Sequence, residues 1–243
     1  MGCADAAKGQ TLADKINGVT AKRSAIACKS GLDLGSTQSI NAWSDELQQI
    51  LARDGERLES LIHHAGAMGL GKFTPTADGD EMQWAMNALG PFKLTQRLWK
   101  TIVSDATKVV CLTSSAHATP SKPFDFAMAC HSEAGYHGWG AYQQSKLAAL
   151  LLSNELQRRL AATGSGADSR AVCENDKWFY LPQLLLPDDK AELAAGPATT
   201  IAALSGLGEG GSYLADSKVG TPGEHGRSES DARKLWEMLM AKV

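Results

Sequence analysis

Lys108-Val109-Val110-Cys111-Leu112-Thr113-Ser114-Ser115 is a short, β-branched, apolar run that ends in hydroxyls. Continuous apolarity over so few residues is the mark of a strand buried on both faces. Its neighbours decide the class. Upstream, Glu59-Ser60-Leu61-Ile62-His63-His64 reads as a strand ending at Ala65-Gly66, and Glu81 to Val103 as a long amphipathic helix. Downstream, Tyr142 to Leu160 reads as a second long helix rich in Leu and Ala. Strands alternating with helices imply parallel pairing through crossover helices. The expected fold is α/β, with a doubly wound parallel sheet.

Farther out, Lys8 to Ile16 has helical spacing and stops at Asn17-Gly18, Ala25 to Leu34 is a short strand candidate, and Ser44 to Leu58 is a helix. Beyond Ala161 the pattern weakens. Ser169 to Val172 is the stub of a strand, Trp178 to Pro187 is apolar without a clear period, and Ala198 to Leu204 is helical. Gly206 to Gly211 is a loop, Ser212 to Ala215 a last short strand, and Ser230 to Met240 an amphipathic helix. No internal repeat or low-complexity linker divides the chain, so residues 1–243 read as a single domain.

Composition excludes several classes. With 43% hydrophobic and 21% charged residues, the chain is an ordinary globular one. Its 24 Lys plus Arg against 27 Asp plus Glu provide no broad positive field, so nucleic acid is not the expected partner. Five cysteines without a C-x-x-C pair argue against a disulfide framework and a zinc knuckle, and favour a reduced, cytoplasmic setting. No apolar run reaches the ~18 residues of a membrane span. His63 and His64 are adjacent on a strand and point to opposite faces, and His117, His131, His137 and His225 lack a ligand pattern, so no metal is expected. Gly206-Leu207-Gly208-Glu209-Gly210-Gly211 satisfies G-x-G-x-x-G, but it follows a helix and leads into a strand, the reverse of a dinucleotide fingerprint. Gly66, Gly71 and Lys72 have Walker A spacing, yet Phe73 stands where magnesium needs a hydroxyl.

The chemistry lies in Tyr142-Gln143-Gln144-Ser145-Lys146, at the start of the long helix. The i, i+4 spacing brings phenol and ammonium to one face, ~5 to 6 Å apart at Cβ. A phenol with an ordinary pKa of ~10 is protonated at neutral pH, and a neighbouring cation favours the phenolate, as acid/base catalysis requires. Ser114 ends its strand at the carboxyl edge, where open α/β sheets place their ligands. Leu61 to Gly66 ends at the same edge, and Asn87-Ala88-Leu89-Gly90-Pro91-Phe92 lies in the helix between them.

These four segments, in this order and spacing, resemble the short-chain dehydrogenase/reductase family and its retinol dehydrogenase-like members. The likeness extends over Leu32-Asp33-Leu34 with Ser39, Ala65-Gly66, Asn87 to Phe92, Val109 to His117, Tyr142 to Leu160 and Tyr213 to Val219. It implies a Rossmann-type sheet and reversible hydride transfer between NAD or NADP and a lipophilic alcohol, aldehyde or ketone. By resemblance Tyr142 is the general acid/base, Lys146 tunes it and holds the ribose, Ser114 binds the substrate oxygen, and Asn87 orders a proton-relay water. Asp33, Ala65 and Gly66 would line the cofactor, with Asp33 facing the adenine. The two long helices would form a homodimer contact, with Leu147, Leu150, Leu151 and Leu156 as its apolar surface.

The likeness also has departures. The family opens with a strand, a T-G-x-x-x-G-x-G turn and a helix, and nothing before Asp33 contains them, so the domain is expected to lack that unit and to bind cofactor poorly as written. Ala4 falls where an Arg often selects NADP, which leaves the choice of cofactor open. His63-His64 replaces Asn-Asn, and Cys173-Glu174-Asn175-Asp176 replaces a Pro-Gly turn. Trp178 to Leu186 would be the apolar substrate loop after a local deletion. The alternative function is a cofactor-deficient pseudoenzyme or truncated isoform that acts as a binding or dimerisation partner.

Overall fold

In the computed structural model, residues 2–19, 28–119, 123–127, 133–174 and 196–242 are described. Strand β2 (Lys108–Ser114) forms where the apolar run predicts it, and the other strands are placed around it. β1 (Ser60–His63) pairs with it in parallel, Leu61 beside Val109 and His63 beside Cys111. β3 (Asp168–Glu174) pairs along its whole length on the other side, from Lys108 beside Asp168 to Ser114 beside Glu174. β4 (Tyr213–Ala215) continues the parallel order, and β5 (Lys218–Val219) turns back antiparallel to it. Among the described residues the sheet order is β1-β2-β3-β4-β5, so β1 lies at an edge.

Alternation along β2 sorts the helices into two layers. Val109 and Cys111 face the larger core, built with Leu61, Leu98, Leu147 and Leu151. Val110 and Leu112 face a smaller one with Val172, Ala203 and Leu214. α2 (Thr37–Asp54), α4 (Gly90–Arg97), α5 (Trp99–Asp105), α6 (Gly138–Thr163) and α8 (Glu229–Met240) contribute to the larger core, while α7 (Gly196–Leu204) covers the smaller. α1 (Ala6–Val19) precedes them, and α3 (Met82–Trp84) leads into α4. Helices on both faces make the sheet doubly wound, as expected.

Three local readings change. The span Glu81 to Val103 is not one helix, because a π turn, Ala85–Leu89, separates α3 from α4 and Leu98 breaks α4 from α5. Pro91 explains the first break: it has no N–H for the carbonyl of Asn87, so the turn before it widens. Ser169 to Val172 is the middle of a seven-residue central strand. Asp168 and Glu174 give it polar ends, and Arg170 inside it donates to Asp168 at 3.0 Å and to the Ala203 carbonyl at 2.6 Å. Ala25 to Leu34 is not a strand over its described part, 28–34, whose amides have other partners. Those of Lys29 and Ser30 donate to the Glu46 carboxylate, and that of Leu32 to the Cys3 carbonyl, each at 2.8 Å. Trp178 to Leu186 lies outside the described residues.

The Gly206 to Gly211 stretch is the expected loop between α7 and β4. Gly206, Gly208 and Gly211 have positive φ, and a Cβ on Gly210 would stand 2.6 Å from Gln157 Nε2. These glycines serve a tight turn against α6, not a phosphate.

Most of α6 from Ala141 to Leu160 is buried, by the sheet on one side and α8 on the other. Leu147, Leu150 and Leu151 are fully buried and Leu156 nearly so. Trp236 of α8 meets Phe92 edge-on at 4.9 Å, and Arg159 lies 4.8 Å over the Trp236 ring. The leucines offered as spare surface for a homodimer are therefore consumed inside the chain.

Candidate active site

Asn87 organises the site. The π turn aims its side chain at the loop leaving β1, where Oδ1 accepts from the Ala67 amide and Nδ2 donates to the Ala67 carbonyl, both at 2.8 Å. The same Nδ2 donates to Ser145 Oγ at 2.8 Å, and Ser145 donates to the Tyr142 carbonyl at 2.8 Å. One amide thus ties the β1 loop to the helix that carries Tyr142 and Lys146. Gly66 is what lets the loop come so close: a Cβ there would stand 2.6 Å from Asn87 Oδ1 and 3.4 Å from Lys146 Nζ.

Lys146 is almost completely buried, a costly place for an ammonium without partners. Its Nζ donates to the Leu112 carbonyl at 3.3 Å and lies 5.9 Å from the centre of the Tyr142 ring. Its own carbonyl accepts from Thr113 Oγ1 at 2.8 Å, which pins α6 to the carboxyl end of β2. Ser114 ends β2 in extended conformation and is buried, and its Oγ accepts from the Ala116 amide at 3.1 Å, opening a 3-10 turn over Ser115–Ala118. Asn87, Ser114, Tyr142 and Lys146 thus share one buried neighbourhood at the carboxyl edge, and Ala65 and Gly66 form its exposed lip. Asp33 stands apart on the surface, in a turn where its carboxylate accepts from the Gly35 amide at 2.8 Å. Leu34 beside it packs on Gly90, just past the π turn.

A second set of polar groups fixes the start of α6. Glu81 is fully buried, caps α3 through the amides of Gln83 and Trp84, and accepts from the Tyr136 hydroxyl at 2.8 Å. Burial first, and then the adjoining Glu81, push the Tyr136 phenol up to about 12, so it stays a donor. Gln83 donates to the Gly138 carbonyl at 2.8 Å, and His137 accepts from the Gly140 amide as N-cap. None of these residues, nor Ser145 or Thr113, is visible as functional in sequence. Ser145 lies one turn from Tyr142, the only available hint.

His63 is neutral and structural. The Thr95 hydroxyl donates to the Pro91 carbonyl, so it accepts from His63 Nε2 at 2.8 Å, and burial pulls the imidazole down to about 4. His64 is exposed, so the pair points apart as the strand period requires. Among the described residues no three His, Cys, Asp or Glu side chains gather as metal ligands, Cys3, Cys28, Cys111 and Cys173 are not in disulfides, and no helix is long and apolar enough to cross a membrane.

No family model matches the chain. It is 30% identical over 253 residues to retinol dehydrogenase 13 of Homo sapiens, covering 97% of this chain and 74% of that protein. The chain belongs to the short-chain dehydrogenase/reductase family of NAD(P)-dependent oxidoreductases. Retinol dehydrogenase 12 of Homo sapiens is 32% identical over 249 residues, covering 98% of this chain and 76% of its own. Among solved structures, an uncharacterised protein from Mycobacterium paratuberculosis superposes with TM-score 0.71 at 26% identity, over 98% of this chain and 82% of that one. The fold is also that of NADPH-bound carbonyl reductase from chicken fatty liver, with TM-score 0.58 at 19% identity over 90% and 85% of the two chains.

Proposed function

We propose that the chain catalyses reversible hydride transfer between a nicotinamide dinucleotide and a lipophilic alcohol, aldehyde or ketone. The observation that carries this reading is the convergence of Gly66, Asn87, Tyr142 and Lys146. A cationic side chain is buried within contact of a loop that only glycine permits, beside a phenol on the same helix face. The exposed lip at Ala65 and Gly66, next to Lys146, would face the ribose and nicotinamide end of NAD or NADP, with Lys146 to hold it and Asp33 near the adenine. When bound, the dinucleotide gives or takes the hydride. Tyr142 then gives or takes the proton of the substrate oxygen, Lys146 favours its phenolate, and Ser114 fixes the oxygen by hydrogen bonding. Asn87 keeps the β1 loop and α6 in register while this happens, and orders the water that returns the proton.

An apolar margin supports a lipophilic substrate. Trp139 is 47% exposed, an unusual setting for indole, and its ring lies 5.5 Å from that of Tyr142. Just before Trp139 in the chain, Gly138 is pressed by the Leu70 carbonyl, and Tyr136 meets Phe73 edge-on at 5.8 Å.

The alternative, a cofactor-deficient binding partner, draws on the position of β1 at the sheet edge among the described residues. Calorimetry with NAD(H) and NADP(H) separates the two, since micromolar affinity for either excludes the rival. The enzyme reading is tested by Tyr142→Phe, which removes only the hydroxyl. Turnover of an alkyl aldehyde should fall by ~10² to 10⁴ while circular dichroism and cofactor affinity stay as in the parent. Turnover at the parent rate would overturn the assignment.

A further inference from the structure

His117 lies in the 3-10 turn after Ser114 and is 2% exposed. Its Nδ1 is 2.5 Å from the Ser114 carbonyl, and its Nε2 is 3.1 Å from the amide nitrogen of Gly223, in the segment after β5. A carbonyl only accepts and an amide N–H only donates, so the tautomer is settled: Nδ1 bears the proton and Nε2 accepts. The imidazole is therefore neutral, and both its nitrogens are used by backbone. Its ring also meets Tyr213 of β4 edge-on at 5.4 Å.

The segment it grips is shaped around it. A Cβ on Gly223 would stand 2.9 Å from the Ala118 Cα, and one on Gly226 would stand 2.4 Å from Leu150 Cδ2 and 3.5 Å from His117 Cδ2. Gly226 belongs to a second 3-10 turn, Glu224–Arg227, which packs against both the His117 turn and α6 and leads into α8. The imidazole is thus the bridge between the peptide of Ser114 and the C-terminal segment.

We propose that His117 is a positioning residue, a neutral splint that holds the Ser114 peptide through its carbonyl and couples the Gly220–Arg227 segment to it, released when the ring is protonated. The inference rests on the proposed role of Ser114. A protonated ring would bring an Nε2 proton against the Gly223 N–H, donor against donor, and the bridge could not close. Ionisable groups on the elements packed against the turn are Tyr213 on β4, Glu224, His225 and Arg227 on the second 3-10 turn, and Tyr142 and Lys146 on α6. Of these, Tyr213 meets the ring, and burial followed by its bond with Cys173 holds that phenol neutral. Burial also holds His117 below the ordinary histidine range, partly offset by the Ser114 carbonyl, so release needs a lower pH than an ordinary histidine would.

Two readouts test this on the full chain. One is turnover of an alkyl aldehyde in the reductive direction, where acid does not disable Tyr142 because the phenol is the proton donor. The other is amide exchange at Gly223 and in residues 115–119, corrected for intrinsic pH dependence. His117→Ala should lower kcat about tenfold with KM unchanged, and speed exchange at Gly223 about tenfold, as loss of a buried acceptor implies. As pH falls below the ordinary histidine value, the parent should lose both kcat and Gly223 protection with circular dichroism unchanged. His117→Asn can still donate to the Ser114 carbonyl and does not titrate. It should recover part of the lost kcat and no longer show the fall in acid.

Unchanged Gly223 exchange in His117→Ala, faster exchange with kcat intact, or an acid fall that persists in His117→Asn would each overturn the proposal. If no form turns over any aldehyde, the enzyme reading fails. The pH dependence of Gly223 exchange in the parent and its absence in His117→Asn then decide the splint alone.

Discussion

The two halves of α6 are buried to the same degree by different means. Over Tyr142 to Lys146 the buried side chains are polar, and each main connection reaches backbone: Ser145 to the Tyr142 carbonyl, Gln144 Oε1 from the Asp125 amide, Lys146 to the Leu112 carbonyl. From Leu147 to Leu160 the buried side chains are mainly leucines and alanines packed between the sheet and α8, with Glu155 as a charged exception. Buried polar groups are specific about partners and poor in net stabilisation, while apolar burial is the reverse. The first half should therefore fail in function before it fails in fold, and the second half in fold before function.

The sharpest break in that contrast is Lys146→Ala. It removes the ammonium beside Tyr142 and the donor to Leu112, and turnover should fall by ~10² to 10⁴, the range typical of losing a positioned acid/base. Cofactor affinity should fall with it, which separates this variant from Tyr142→Phe, and calorimetry beside initial rates reads both. An unchanged affinity would mean that Lys146 serves Tyr142 alone. In the other half, Leu151→Ala opens a cavity at a fully buried site and should cost about 2 to 5 kcal/mol in urea unfolding. Activity per folded molecule should stay within about twofold of the parent, since the change lies in a packing layer whose loss shows mainly as a cavity.

This division also explains what could be read in advance. Strand β2, helix α6, the parallel order and the Tyr142, Lys146, Ser114 and Asn87 set were legible, because each sits in a strongly periodic element or a recognisable spacing. The break at Asn87 was not, because a π turn leaves no periodic trace and only Pro91 marks it. β3 reads as a stub because Asp168 and Glu174 give it polar ends and Arg170 interrupts its apolar run, and the Ala203 carbonyl that Arg170 reaches on α7 is far away in sequence. The clamp of Glu81, Gln83 and Tyr136 and the bridge at His117 escaped for the same reason, since each joins residues separated by fifty or more positions through side-chain-specific bonds.

His63 tests the contrast outside α6, since it is a buried polar group whose single bond to Thr95 supports packing, not chemistry. Its pKa of about 4 in the folded chain lies below the ~6.5 of an unfolded one, so the unfolded state binds more protons between those values. Stability from this residue is complete above pH 6.5 and is lost as pH falls toward 4, by about 3 kcal/mol in all. Urea midpoints measured from pH 7 to 4 should show that fall in the parent and a shallower one in His63→Asn. Equal slopes would mean that the ring is not buried neutral.

Glu155 gives the smallest effect and the finest test, because it is the charged exception in the apolar half. The carboxylate accepts from Arg158 at 2.8 Å and from Arg159 at 2.7 Å. Burial alone would raise its pKa, but the hydrogen bonds from the two arginines outweigh that and hold it below the ordinary carboxylate range. Its contribution is therefore present above the unfolded glutamate value and lost as pH falls through the folded one, opposite in chemistry to His63 but the same in direction. Both arginines are substantially exposed, so solvent screens the pairs and their net worth is small. Glu155→Gln keeps the shape and an acceptor, and at pH 7 should shift the urea midpoint only slightly. It should weaken the salt dependence of the midpoint between low and moderate ionic strength, because two screened ion pairs become hydrogen bonds from the arginines to a neutral amide. A large loss at pH 7 would show that the charge holds Arg159 over Trp236, and would move the seam between α6 and α8 from apolar packing to electrostatics.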